Sequence, residues 1–348
     1  MPSARHDSTS RKATLSDVAS LADVSISTVS KVLNGRAGVS SETRARVEAL
    51  LQNREYDRRT PRRPVAPLVD VLCYEIDSPF ANEALASIEL VARERRIGMV
   101  LTGATERHLP HESWVDDVLR RQPLGVLLLA CVLPAKDKKR LRARNIPVVM
   151  VDPAGSPDPD VPSIGSADWN GGYLATQHLI NLGHRRIGIL TGPETMLAAT
   201  ARLSGYRAAL ESAGLPVDGD LIRPGEFHQR DGVVEGRALL SRRNRPTAVF
   251  ASSDLYALGV YEAARSLGIA IPGDLSVVGY DDLHIAQWAG PPLTTIHVPL
   301  VAMAQQAVQL ILRLRDEPEL AFSRIDIDTT LVVRESTAPP HRAARRRR

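Results

Sequence analysis

Short runs of consecutive apolar residues recur through most of the chain and limit its fold more than any other feature. Five of them are GMVLTG, GVLLLACV, PVVMVD, RIGILTG and TAVFASSD. Segments with helical periodicity lie between such runs, for example 171–182, 200–213, 254–267 and 300–314. A strand that is apolar on both faces belongs to a parallel sheet covered by helices on both sides. The pattern therefore predicts two α/β halves, roughly 68–164 and 165–290, with a late crossover between them.

The first part of the chain predicts three short helices instead. Thr14 with Asp17 three residues later forms an N-cap signature, and an apolar stripe at helical spacing follows. A turn at Asp23 separates this helix from a second one that starts at Ser25, whose hydroxyl can cap it. A third amphipathic segment begins after Ser40. Three short helices with a tight first turn are typical of a helix-turn-helix head.

Charge is distributed unevenly along the chain. Residues 1–64 carry 12 Lys and Arg against 7 Asp and Glu, whereas residues 65–340 are net acidic. The final residues 341–348 hold five Arg and no acid, and we expect them to form a basic disordered tail. A basic head on an acidic body is typical of a DNA-binding head attached to a module that does not bind nucleic acid.

The outward face of the second helix consists of small hydroxyl side chains and one cation. Ser25, Ile26, Ser27, Ser30 and Lys31 lie on it. Small side chains let a helix approach DNA closely, and hydroxyl and ammonium groups can bind phosphates or base edges. A solvated polar face would explain the same residues. The cap, the turn and the third helix favour the DNA interpretation.

Longer motifs resemble one known family. TLSDVASLADVSISTVSKVLNG, NLGHRRIGILTGP, PTAVFASSDLYALGVYEAARSLGI, PGDLSVVGYDDL and PPLTTIHVPL follow the order found in the lactose-repressor (LacI/GalR) family, and the resemblance covers roughly residues 13–340. It implies an all-α helix-turn-helix head at 13–56, a linker at 57–67, and a core at 68–340. That core would be an α/β periplasmic-binding-protein-like unit of two doubly wound parallel-sheet lobes. The resemblance implies that the protein is a transcriptional regulator, and we expect it to be a repressor. As a homodimer it would bind double-stranded operator DNA under the control of a small-molecule effector, a mono- or oligosaccharide.

The resemblance also assigns roles in the head. Ile26 and Ser27 occupy the position of the family's base-reading pair, and Lys31 replaces a usual Arg, which weakens bidentate reading of guanine. Asp23 replaces a common Gly, and Asp tolerates left-handed geometry. The DNA-binding residues expected in the head are Thr14, Ser25, Ile26, Ser27, Thr28, Ser30, Lys31 and Asn34.

The linker departs from the family pattern. EYDRRTPRRPVAPLVD is shorter than the usual hinge segment, lacks its Leu wedge and contains prolines that make a helix unfavourable. Arg58, Arg59, Arg62 and Arg63 would then lie on an extended strand. Such a strand could follow a minor groove, or it could be a solvated linker that contacts only phosphates.

Polar and aromatic residues at the predicted strand ends suggest the effector site, because ligands of open α/β sheets bind beyond the carboxyl ends of the strands. By resemblance, Arg202 and Asp281 contact the effector, Phe227 stacks on it, and Phe80 and Ser253 occupy further positions. Asp77, Asp152 and Trp169 complete the predicted effector-binding set. Asp254 is predicted to cap the following helix, and Trp288 to pack in the core or an interface.

Several classes of protein are excluded by missing motifs. The chain has no P-loop, no G-x-G-x-x-G after a strand, no G-x-S-x-G elbow and no H-E-x-x-H, so we expect no enzyme, cofactor or metal. Its two cysteines suit a reducing compartment, and its longest apolar run is too short for a membrane span. We expect a cytoplasmic protein that joins the nucleoid when bound to DNA. Two alternatives remain, namely an architectural DNA-binding protein without ligand control and a cytoplasmic sugar-binding protein.

Overall fold

The computed structural model describes residues 15–33, 38–53, 67–105, 108–155, 160–317 and 324–341. These residues form two compact units. The first contains the head together with Ser113–Pro123 and Pro134–Ile146, and the second contains Pro67–Glu112, Leu124–Leu133 and the chain from Pro147 onward. The domain bounds inferred from the sequence stay a prediction, because residues 54–66 and 342–348 lie outside the described part.

Helices are the regular elements in the described part of the head, and strands and helices alternate through most of the chain that follows. The helices are α1 (Leu15–Leu21), α2 (Ile26–Leu33), α3 (Ser41–Asn53), α4 (Pro79–Glu94), α5 (Trp114–Arg121), α6 (Ala135–Arg142), α7 (Asp168–Asn181), α8 (Leu197–Ser212), α9 (Gln229–Leu240), α10 (Asp254–Ser266), α11 (His284–Trp288) and α12 (Leu300–Asp316). The strands are β1 (Leu68–Cys73), β2 (Gly98–Gly103), β3 (Gly125–Leu129), β4 (Val148–Val151), β5 (Ser163–Ser166), β6 (Ile187–Leu190), β7 (Ile222–Arg223), β8 (Ala248–Ala251), β9 (Ser276–Asp281), β10 (Thr294–His297), β11 (Arg324–Ile327) and β12 (Thr330–Val332).

The head contains the three predicted helices around a small core. Its buried residues are Val18, Ala19, Ala22, Val29, Val32 and Val47. The Ser25 hydroxyl accepts a hydrogen bond from the amide of Thr28 at 3.1 Å, which caps α2 as predicted. Asp23 has a φ of 51°, so an Asp does adopt the left-handed geometry of the first turn. The prediction of a helix-turn-helix head is therefore confirmed.

Two six-stranded sheets organise the second unit. The first has the order β11-β5-β4-β3-β1-β2 and the second β12-β10-β9-β8-β6-β7. All neighbours within the first sheet run parallel. The prediction of two parallel-sheet lobes is confirmed except at β12, which pairs with β10 in the antiparallel direction. Only two residues separate β11 from β12, and these two strands join different sheets.

The chain passes between the two sheets three times. It leaves the first sheet after β5 and returns after β10, when α12 packs against α4, β3, β4 and β5. It then adds β11 to the first sheet and β12 to the second. Three connecting segments therefore join the lobes, and the first lobe includes residues from near the end of the chain.

Serine caps begin two helices at the carboxyl ends of the strands. Ser78 accepts a hydrogen bond from the amide of Ala81 at 3.1 Å at the start of α4, with Pro79 in the first turn. Ser253 accepts one from the amide of Tyr256 at 3.2 Å at the start of α10. The predicted cap at Asp254 is thus wrong by one residue. These caps fix the loops that line the cavity described next.

Candidate functional site

A cavity of about 210 Å³ lies at the carboxyl ends of both sheets within the second unit. The first sheet contributes the loops after β1, β3 and β4, and the second contributes those after β6, β7, β8 and β9. Its polar and aromatic lining consists of Tyr74, Glu75, Ser78, Phe80, His108, Asp152, Thr195, Arg202, Glu226, Phe227, His228, Ser253 and Asp281. A site between two lobes can couple ligand binding to closure.

Arg202 of α8 is the central cation of the cavity, and 5% of it is exposed. Its Nε donates to Asp168 Oδ1 at 2.8 Å, and its Nη1 donates to the Ser252 carbonyl at 2.7 Å. The guanidinium carbon lies 3.6 Å from the centre of the Tyr280 ring, and Nη1 lies 3.6 Å from Asp281 Oδ1. Burial lowers the pKa of Arg202, but the neighbouring carboxylates outweigh burial and raise it. Arg202 therefore remains a fixed cation at the cavity floor.

Two carboxyl groups near this cation have raised pKa values. Burial and the charge of Asp168 raise the pKa of Asp152 to about 6. Burial also raises the pKa of Asp281 well above its ordinary value, although Arg202 opposes the change. Both residues have positive φ angles, 49° at Asp152 and 107° at Asp281. Left-handed backbone at the two strand ends is unfavourable, and such strain is concentrated at functional sites.

Phe227 forms an aromatic wall of the cavity, and contacts with Tyr256 fix its position. Its backbone amide donates to the Tyr256 hydroxyl at 2.7 Å, and the two ring centres lie 5.5 Å apart. A Cβ at Gly192 would lie 2.0 Å from the Phe227 ring, so only glycine allows this close approach. The ring is thereby fixed at the position where the resemblance places a stacking aromatic.

Six of the eight predicted effector residues line the cavity and two do not. Phe80, Asp152, Arg202, Phe227, Ser253 and Asp281 lie in its wall. Asp77 is exposed in the turn before α4, because the chain reverses at Glu75, where φ is 45°. Trp169 lies on the outer face of α7, 49% exposed and stacked on Tyr173 at 5.5 Å. Neither can wall the cavity, so their prediction as cavity residues is corrected.

Two further expectations change with the structure. The Ser253 hydroxyl caps α10, so its hydrogen-bonding capacity towards a ligand is partly used. Trp288 is 77% exposed, so the expectation that it packs in the core of its own chain is wrong. Asp254 is buried and accepts hydrogen bonds from Leu283 N and the Thr295 hydroxyl, which is a structural role.

Sequence reasoning missed several cavity residues, chiefly in loops. Glu75, His108, Glu226 and His228 lie in or at the ends of irregular segments with no period that predicts their direction. Asp168, which binds Arg202, lies beside Trp169 but carries no motif of its own. Glu226 directly precedes the predicted Phe227, and this proximity was the one available signal.

The outward face of α2 has the composition that DNA recognition requires. Ile26 is 51% exposed, Lys31 is exposed, and the opposite face buries Val29 and Val32. The Ser25 hydroxyl lies 2.7 Å from the Ser27 hydroxyl and 2.8 Å from that of Thr28. Ser30 is half-buried on the same helix. Thr14, Asn34, Arg58, Arg59, Arg62 and Arg63 lie outside the described residues.

Sequence comparison identifies the family. Residues 14–58 match the bacterial regulatory proteins of the lacI family, and residues 176–337 match the periplasmic binding protein-like domain. The ribose operon repressor of Escherichia coli strain K12 is 34% identical over 330 residues, which are 93% of this chain and 99% of that protein. The chain belongs to the LacI family. It is a DNA-binding transcriptional regulator, as predicted.

Two solved structures of transcriptional regulators agree with the fold over nearly the whole chain. A complex of the transcriptional regulator CelR with cellobiose has a TM-score of 0.70 and 34% identity, and covers 93% of this chain and 100% of its own. The lac repressor dimer bound to operator and the anti-inducer ONPF has a TM-score of 0.68 and 26% identity, with coverages of 94% and 100%. These relatives are regulators of transcription rather than enzymes.

Metal-binding clusters and membrane-spanning helices are both absent from the described ranges. No group of three or more His, Cys, Asp or Glu side chains there is arranged to hold a metal ion. Among the helices that the structure describes, none has both the length and the apolar character needed to cross a bilayer.

Proposed function

We propose that this LacI-family chain is a repressor whose affinity for operator DNA is controlled by a small polyhydroxylated effector in the cavity between its lobes. One observation carries the proposal. The buried Arg202 and Asp281, the strained Asp152 and the fixed Phe227 ring all converge on one cavity. Carboxylates and a guanidinium can bind adjacent hydroxyls, while a flat ring covers the C–H face of a sugar.

We further propose that α2 enters the major groove. Ile26 and Ser27 would contact base edges, since they are exposed at its amino-terminal end, and Lys31 would bind a phosphate or a guanine. Lys31→Ala should then reduce the slope of log affinity against log salt by about one if the contact is to phosphate. Ile26→Ala should instead change the preference among operator sequences. The reverse pattern would contradict this assignment.

Two heads are needed to bind two half-sites of a palindrome, so the proposed active form is a homodimer. Binding to chromosomal operators would place it on the nucleoid. An effector that favours one arrangement of the lobes changes operator affinity by its differential binding, typically by about 5–150-fold. The cellobiose complex of CelR and the ribose operon repressor make a sugar the first class to test.

The deciding experiment measures operator binding with and without candidate sugars. Fluorescence anisotropy with DNA from the upstream region of the chain's own gene should show an affinity change of at least about fivefold with one sugar. Asp152→Asn should remove that response and leave ligand-free DNA binding intact, whereas Asp274→Asn, outside the cavity, should behave as wild type. An affinity that no sugar changes would contradict effector control. It would favour the architectural alternative.

A further inference from the structure

The charges that line the cavity are strongly unbalanced. Four carboxyl side chains line it, those of Glu75, Asp152, Glu226 and Asp281, against a single guanidinium, that of Arg202. Among the residues that the structure describes, the lining contains no lysine. Carboxyl groups therefore outnumber guanidinium groups around the space that a ligand would enter.

The one guanidinium is already committed to protein groups. Its Nε is bound to Asp168 and its Nη1 to the Ser252 carbonyl, both at hydrogen-bond distance. Asp168 is 4% exposed and lies behind the cavity wall, so its charge offsets that of Arg202 before any ligand arrives. Arg202 can still donate a hydrogen bond to a ligand hydroxyl through Nη2, but it is no longer an unpaired cation for an anionic ligand.

Asp152 contributes acceptors that the protein leaves open. Within the part of the chain that the structure describes, its side chain makes no hydrogen bond or ion pair. Its carboxyl group lines the cavity on the side of the first sheet. A half-buried carboxyl without donors favours a ligand that brings O–H or N–H groups and opposes one that brings a second anion.

Carboxylate side chains also lie at the mouth of the cavity. Glu226 is exposed, and Glu75 Oε1 lies 3.3 Å from His228 Nε2. The Nδ1 of His228 lies 3.6 Å from Asp231, so two carboxylates flank that ring. The other histidine, His108, donates Nδ1–H to the Ala130 carbonyl at 2.7 Å when its ring is neutral, which leaves Nε2 as an acceptor.

The size of the cavity limits the ligand further. Its volume of about 210 Å³ lies below the roughly 300–1,000 Å³ of pockets for drug-sized ligands. Phe80 and Phe227 supply two flat apolar faces. These dimensions fit one sugar ring better than two.

We infer that the effector is a single-ring sugar, neutral or amine-bearing, and that Glu75 and Glu226 at the mouth exclude sugar acids and sugar phosphates. This inference rests on the proposed function, because it specifies the effector of the same cavity. It adds the charge and the size that the ligand can have.

Calorimetric titration of the full-length protein without DNA tests the inference directly. The probes are ribose, glucose and galactose, each beside its aldonate and its terminal phosphate, with glucosamine and galactosamine as amine forms. We expect at least one neutral or amine sugar to bind, and to bind at least about tenfold more tightly than the acid and the phosphate of the same sugar. An acid or phosphate that binds as tightly as its neutral parent overturns the inference.

Variants of the mouth test the two residues. The double variant Glu75→Gln, Glu226→Gln keeps side-chain size, and its preference for the neutral sugar should shrink at least about threefold. Glu211→Gln on the exposed face of α8 is the matched control and should leave the preference unchanged. An unchanged preference in the double variant overturns the role of the mouth.

Operator binding separates this inference from the function on which it rests. A sugar acid or phosphate that binds and changes operator affinity refutes the charge selection but leaves effector control standing. If no sugar of any charge binds and operator affinity never changes, both proposals fail.

Discussion

Replacing Arg202 by methionine should destabilise the second unit strongly, because the change removes a buried cation and leaves its carboxylate behind. The lost contacts are the 2.8 Å bond to Asp168, the 2.7 Å bond to the Ser252 carbonyl and the face of the Tyr280 ring at 3.6 Å. Breaking a buried pair on one side costs about 3–5 kcal/mol. We expect Arg202→Met to lower the free energy of unfolding by that amount.

A second substitution makes the reasoning sharper. Asp168→Asn in the same chain removes the unpaired charge, and its amide oxygen can still accept the 3.1 Å hydrogen bond from the Ser166 hydroxyl. The double variant should therefore be more stable than Arg202→Met alone, by about 1–3 kcal/mol. Few substitutions in a buried site recover stability when a second polar group is changed, so the sign of this difference is informative.

Urea unfolding followed by tryptophan fluorescence measures these differences at one fixed protein concentration, since a dimer's stability depends on concentration. Arg207→Met, exposed on the same helix, is the control and should change the free energy of unfolding by less than about 0.5 kcal/mol. A cost below about 1 kcal/mol for Arg202→Met, or a double variant less stable than the single one, would refute the account of Arg202 as the charge that compensates Asp168.

Three further outcomes follow from the structure. Burial lowers the pKa of His184 below its ordinary 6.5, so the unfolded chain takes up the proton first. The contribution of His184 to the free energy of unfolding should be fully present above about pH 6.5 and decrease at lower pH. Urea titration should show a smaller pH slope in His184→Gln. Gly192→Ala places a Cβ against the Phe227 ring and should abolish the thermal shift caused by the effector, whereas Gly219→Ala, with open space around it, should preserve the shift. Ser25→Ala removes the cap of α2 and should lower head stability by about 1 kcal/mol, seen as an earlier melting step by circular dichroism; an unchanged melt would contradict the capping role.

The regular parts of the molecule were predictable because their periodicity is strong. The wholly apolar β3 and β6 indicated buried parallel strands, and both lie inside their sheets. Ser25 and Asp23 indicated the cap and turn of the head, and both adopt the expected geometry. The antiparallel direction of β12 was not predictable, because it depends on which sheet the short segment after β11 joins.

The site was predictable where a residue directly follows a strand and less so elsewhere. Asp152 and Asp281 lie at the carboxyl ends of strands in different sheets, and both line the cavity, as expected for a ligand site beyond the carboxyl ends of parallel strands. Asp77 follows a turn whose direction depends on the left-handed Glu75, and no pattern in the sequence indicates that reversal. The prediction for Trp169 was wrong because the rotation of α7 about its axis decides which residue faces the cavity.

The three passages of the chain between its sheets have a consequence for how the protein is made. The first lobe contains β1 near residue 70 and β11 near residue 325, with α12 packed over its middle strands. A growing polypeptide therefore cannot complete this lobe until almost the entire chain has left the ribosome. Until then the apolar surface that α12 will cover stays open to solvent, and chaperones can bind it. Truncations after residue 290 should accordingly yield insoluble product, although most of the effector cavity is already encoded.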